Sequence, residues 1–188
     1  MPVYTAKDAR LGTTTQPASG TIRSVVERAP GSNFFTITYT LTAARMTVTD
    51  AAGSGSYGTL SLLNLPQTGV HWIACRQNYT AFAEGSALTT AEGDAAFKIG
   101  VGSTAIAAAA DVTLATAEKD IGGEIAITLS SGTGVGTAHT ASNKVVDGTS
   151  TATKLNLNWS GSAATIDATS TIDITGTITV AGVLLGDD

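Results

Sequence analysis

Cysteine occurs once in this chain, at Cys75, so neither an intrachain disulfide nor a thiolate metal cluster can form. Its expected role is that of a small buried hydrophobe. No run approaches the roughly 20 apolar residues that span a bilayer, and the opening Met-Pro-Val-Tyr-Thr-Ala-Lys-Asp-Ala-Arg has no apolar core of a signal peptide. The chain is therefore expected to be made in a cytoplasm, to stay soluble and to leave membranes alone. Basic clusters are missing too: ten Lys and Arg are scattered from Lys7 to Lys154 against fifteen acidic residues, for a net charge of -5. That removes the electrostatic footprint of a nucleic-acid binder. Charge of either sign is scarce, at 13% of residues, which removes the repulsion that keeps monomers apart and favours life in an assembly.

What is abundant is Thr, Ala, Ser and Gly, arranged with a period of two. From Thr171 to Val180 every even position is apolar or Gly and every odd position polar, the signature of a half-buried strand. Phe35, Ile37, Tyr39 and Leu41 alternate with Thr36, Thr38, Thr40 and Thr42; Leu155, Leu157 and Trp159 alternate with Asn156 and Asn158; Ile125, Ile127 and Leu129 alternate with Glu124, Ala126 and Thr128. Thr is β-branched and suits an exposed pleated face. The apolar phase flips between Leu41 and Met46, which predicts a β-bulge or corner near Ala43-Ala44. Further strands are expected at Thr21 to Arg28, Thr59 to Leu65, around Phe97 to Val101, and within the aromatic stretch Val70 to Phe82. Turns are expected at Pro30 to Asn33 and Pro66 to Gly69, a short turn or helix at Thr116 to Ile121, and a hairpin-type dipeptide at Asp147-Gly148. Ala-rich Thr104 to Ala110 could form a helical turn.

About eight to ten strands with intervening turns, and no fixed-length repeat, predict a single all-β antiparallel sandwich or jelly roll. Residues 21–188 would form it, preceded by an extended, poorly packed N-terminal arm of residues 1–20 with few large apolar groups. Trp72 and Trp159 are expected in the core.

Motifs of chemistry are weak by comparison. Gly53 to Gly58 fits Gly-x-Gly-x-x-Gly, but a strand rather than a helix follows it, so it reads as a hairpin loop and not a dinucleotide site. His71 and Cys75 would share one strand face with His139 as a distant third ligand, short of what zinc requires, and no family signature surrounds Cys75 as a nucleophile. Serines lack the Gly-x-Ser-x-Gly elbow, and Asp167 and Asp173 read as solvated carboxylates rather than an acid–base pair. The sequons at Asn78 and Asn158 have no secretory signal to make them meaningful. No catalytic residue, cofactor or metal is expected, and the chain is read as a non-enzyme.

The final third carries one family likeness. Val146-Asp147-Gly148-Thr149-Ser150-Thr151-Ala152-Thr153-Lys154-Leu155-Asn156-Leu157-Asn158, then Thr175 to Val180, ending Leu184-Leu185-Gly186-Asp187, resembles small structural proteins encoded beside the major capsid protein in tailed bacteriophages. A weaker echo lies at Thr116 to Leu129, and Ala181-Gly182-Val183 departs from the bulkier, more aromatic ending expected of such a last strand. Those proteins are similar to jelly-roll decoration, or cement, proteins on the outside of the head. The resemblance implies a virion protein on the capsid surface with the major capsid protein as partner, homo-oligomeric, and trimeric by the same analogy. Tyr4, Lys7 and Arg10 are the expected partner contacts because they are the few large side chains of the arm. The rival from another class is a carbohydrate- or receptor-binding module of a phage tail or bacterial surface, using a ring of the Trp72 to Phe82 segment to stack on a sugar.

Overall fold

The computed structural model describes residues 4–5, 13–50, 55–65, 68–84, 96–106, 113–128, 136–148, 153–161 and 169–186. In chain order the strands are β1 (Tyr4–Thr5), β2 (Thr13–Thr14), β3 (Thr21–Glu27), β4 (Phe34–Asp50), β5 (Ser56–Asn64), β6 (Gly69–Glu84), β7 (Ala96–Gly102), β8 (Gly123–Thr128), β9 (Gly136–Asp147), β10 (Lys154–Gly161) and β11 (Ser170–Gly186), with one 3-10 turn at Thr116–Glu118. All pairings are antiparallel, and the hydrogen-bonded path runs β8-β7-β10-β5-β4-β11-β6-β9.

That order has a simple generator. β4 pairs with β11, β5 with β10, β6 with β9 and β7 with β8, so the chain from β4 to β11 is one long hairpin folded at the β7–β8 connection. Rolling the hairpin places β5-β10-β7-β8 on one side and β4-β11-β6-β9 on the other, the topology of a jelly roll. The all-β antiparallel class expected from the alternation is what the chain adopts. The two sides join at the β4–β5 corner through Val48–Gly58, Thr49–Tyr57 and Asp50–Ser56. The opposite seam, between β8 and β9, closes through side chains, leaving a nearly complete barrel. There Thr140 Oγ1 donates to Gly122 O at 2.8 Å, and Lys144 Nζ lies 3.0 Å from Asp120 Oδ2.

Inward residues of both sides fill one core. Trp159 is flanked by Phe97 and Phe82, with ring centroids 4.8 and 6.2 Å away, and Phe35 meets Trp72 edge-on at 5.7 Å, arrangements that add to simple burial. Both tryptophans lie in the core as predicted, and so does Cys75. Burial pushes the Cys75 thiol up to about 12.

The phase flip in β4 is a bulge. Ala44 pairs with Ile174 and Leu41 with Gly176, leaving Thr42 and Ala43 opposite Thr175. Ala43 sits at φ 45°, and its N–H donates to Thr175 Oγ1 at 3.1 Å. Gly20 packs against this bulge at φ +76°, where an added Cβ would fall 2.0 Å from Ala43 O.

Asp147-Gly148 is not a hairpin turn. β9 and β10 belong to opposite sides, so the chain crosses the end of the barrel, and the Gly148 N–H donates to Thr68 O at 3.1 Å. Of residues 1–20, Tyr4–Thr5 lies along Val25 and Val26 of β3, and Thr13–Thr14 along Leu63 and Asn64 of β5. Gln16 completes the β3 edge: its Oε1 accepts the Ile22 N–H and its Nε2 donates to Ile22 O at 2.8 Å, as a neighbouring strand would.

Candidate interaction face

The two outer surfaces of the barrel are treated differently by the chain. On β10, Leu155, Leu157 and Trp159 point inward, and Asn156, Asn158 and Ser160 point outward, yet all six are buried. The wet face expected for this strand is absent because the β7–β8 connection folds back over it. Asn158 fastens that cover. Its Nδ2 donates to Thr104 O and Glu118 O, both at 2.8 Å, and its Oδ1 accepts the Ile106 N–H at 3.1 Å and the Thr59 hydroxyl at 2.7 Å, which exhausts the amide's ordinary capacity. Gly102 permits the close approach, since a Cβ there would lie 2.2 Å from Glu118 C. Ile106 and Leu114 of the connection are buried on this surface.

The outer surface of β4-β11-β6-β9, extended past β4 by β3, has no such cover among the described residues. Its rows cross the strands in register. One is Thr36, Ala181, Ala74 and Ala141; the next is Thr38, Thr179 and Arg76. Thr38 Oγ1 and Thr179 Oγ1 are 3.2 Å apart. Ala74, Arg76, Ala141, Thr179 and Ala181 line a shallow concavity in its middle. Toward the β4–β5 corner, Arg45 forms a bidentate ion pair with Asp173, at 2.7 and 2.8 Å, and the bond from Arg45 holds the Asp173 carboxyl below its ordinary range.

At the other end of this face stand the exposed large hydrophobics of the described residues: Phe34 at 47% exposure, Ile73 at 37%, Val145 at 53% and Leu185 at 48%. Phe34, Val183, His71 and Val145 form one row across four strands. Ile73 joins them because it is the extra residue of a β6 bulge, between Trp72 and Ala74. Scattered surface hydrophobics need no explanation, but their convergence at one end of one sheet does.

The same bulge separates His71 from Cys75. His71 faces outward with Nε2 2.8 Å from Asn143 Oδ1, while Cys75 faces the core, so the expected shared face does not exist. His139 pairs with Arg76 through the backbone. Among the described residues no group of three His, Cys, Asp or Glu side chains could hold a metal. Tyr4 lies opposite Val26 on the β3 edge; Lys7, Arg10 and Asp167 lie outside the described residues. Trp72, Tyr79 and Phe82 are core rings and are not available to stack on a sugar, which takes away the feature behind the carbohydrate reading. Sequence reasoning missed the apolar end altogether; the odd parity of Val183 and Leu185 in β11 was its one legible sign.

No protein-family model, curated protein or solved structure matches this chain. Fold and surface together define a jelly-roll domain with one outer face covered and the other bare among the described residues.

Proposed function

We propose that this chain is a viral structural protein, a decoration protein that binds the outer surface of a phage capsid and stabilises contacts between major capsid protein subunits. The observation that carries this reading is the jelly-roll topology of a low-charge, Thr- and Ala-rich chain. Jelly rolls recur in viral shells, and the family likeness of the C-terminal third points the same way, although a fold alone does not assign a role.

Tyr4, Lys7 and Arg10 are the proposed capsid contacts. Tyr4 belongs to a strand that holds the β3 edge by two residue pairs, with Lys7 and Arg10 just beyond it in sequence. Weak contacts of this kind gain avidity when several are linked in one particle, by as much as about 10²–10⁴ where geometry allows.

The test is co-sedimentation of the purified chain with expanded capsids stripped of accessory proteins. Saturable binding near the copy number of the major capsid protein, with a raised capsid melting temperature, is expected. Deleting residues 1–12 should abolish it. Failure to bind at high micromolar concentration would overturn the decoration reading, and undiminished binding after the deletion would overturn the assignment of Tyr4, Lys7 and Arg10.

A further inference from the structure

The bare face has a symmetry written into the β4–β11 register. Phe34 lies beside Val183, Thr38 beside Thr179, and Arg45 beside Asp173: apolar with apolar, hydroxyl with hydroxyl, cation with anion. A twofold axis running along the β4–β11 boundary turns each residue of one strand toward its counterpart on the other strand of a second copy. Such an isologous contact requires that residue i meet j while j meets i, and these pairs satisfy it.

We infer that this face is the interface of a homodimer. Its occupant is a second copy of the chain, packed sheet on sheet with strands roughly aligned. An axis along the strands keeps the two apolar ends together, so Phe34 of each copy packs on Val183 of the other and both leave water on association. At the opposite end, Arg45 and Asp173 of one copy meet Asp173 and Arg45 of the other in a square of alternating charge. Arg45 and Asp173 keep side-chain exposures of 41% and 22%, so both can engage a partner while remaining paired. Along the axis, between the two ends, Thr36, Thr38, Thr179 and Ala181 are small and neutral and allow the sheets to approach. This inference does not depend on the capsid role.

Charge reversal tests it with the full chain. Sedimentation equilibrium should find a dimer, and Phe34→Asp should weaken it about tenfold or more by stranding a carboxylate in the apolar contact. Arg45→Glu makes all four charges of the square negative, and Asp173→Arg makes all four positive. Each variant alone should dissociate about tenfold or more above the unmodified chain, because like charges facing one another oppose association. Mixed in equal amounts, the two variants should form a heterodimer in which negative faces positive. Far-UV circular dichroism on each variant confirms the fold, and if either reversal disturbs it, Phe34→Asp and Val183→Asp decide the question. A monomer or trimer from the unmodified chain overturns the inference. So does a dimer indifferent to Phe34→Asp and Val183→Asp, or folded reversal variants whose mixture associates no better than either alone. None of these outcomes bears on capsid co-sedimentation, so the two readings fail separately.

Discussion

Two tyrosines on neighbouring parts of the core should respond oppositely to loss of the same atom. Tyr79 OH donates to Gln77 Oε1 at 2.7 Å, and Gln77 Nε2 donates to Gly122 O at 2.6 Å, beside the Thr140 bond that helps close the β8–β9 seam. Tyr39, equally buried, has a hydroxyl without a hydrogen-bond partner among the described residues. Tyr79→Phe removes a donor and leaves Gln77 Oε1 unsatisfied, at a cost of about 1–2 kcal/mol. Gln77→Leu strands the Tyr79 hydroxyl and removes a seam bond, at about 2–3 kcal/mol. The double variant leaves neither partner stranded, so its cost should fall below the sum by about 1–2 kcal/mol. Tyr39→Phe discards a group that gains nothing on folding and should be neutral or stabilising, by up to about 1 kcal/mol. Urea unfolding followed by tryptophan fluorescence reads all four variants. Equal losses from Tyr39→Phe and Tyr79→Phe, or additive losses at 77 and 79, would refute the network.

Alkaline pH should destabilise the fold. Burial raises Cys75, Tyr39 and Tyr79 above their ordinary values, so their stabilisation is complete below the unfolded pKa and is lost as rising pH ionises the unfolded chain; melting temperature should fall above about pH 9, and Cys75 should react with thiol reagents only after unfolding. At the acid end the sign reverses, since Asp173, bonded to Arg45, and Glu124, bonded to Lys119 and Lys98, are held below their ordinary values. Their contribution is present above the ordinary carboxylate range and fades as pH drops through the lowered values, so Asp173→Asn should flatten the acid limb of the stability profile. Gly20→Ala places a Cβ against Ala43 O at a positive φ and should cost about 2 kcal/mol or more, seen as a melting temperature lower by about 4–8 °C.

How far the sequence could be read depends on bulges and seams. β11 is legible from end to end because its inward residues keep one parity from Ile172 to Leu184. β4 needed one flip, and the flip was itself readable as the bulge at Ala43. β6 carries two bulges that matter for parity, near Ile73 and Thr80, so its inward residues run Trp72, then Cys75, Gln77 and Tyr79, then Phe82. No single period fits them, and counting along the strand wrongly joined His71 to Cys75. β9 had no strand signal for a different reason. Its barrel-side residues Thr140, Ser142 and Lys144 are polar because they reach across the seam to Gly122 O, Asp120 O and the Asp120 carboxylate. A strand whose work is to bond carbonyls rather than to fill a core shows no apolar alternation.

The composition that says least about chemistry acquires a physical use on the bare face. A surface of Lys and Glu would lose up to about 2 kcal/mol of side-chain entropy for each residue immobilised on docking, whereas Ala loses none and short Thr little. Rows such as Thr36, Ala181, Ala74 and Ala141 are therefore already close to their docked state before any partner arrives. The opposite surface needs no such preparation, because the β7–β8 connection covers it and Asn158 spends its amide on holding that cover. The same chain thus uses polar residues in two ways: asparagines that bury one face permanently, and threonines that keep the other soluble yet inexpensive to bury. The distinction is measurable. Hydrogen exchange should protect the β10 amides near the global limit at every chain concentration, and raising the concentration through the dimer's dissociation constant should slow exchange at β4, β6 and β11 without changing β10.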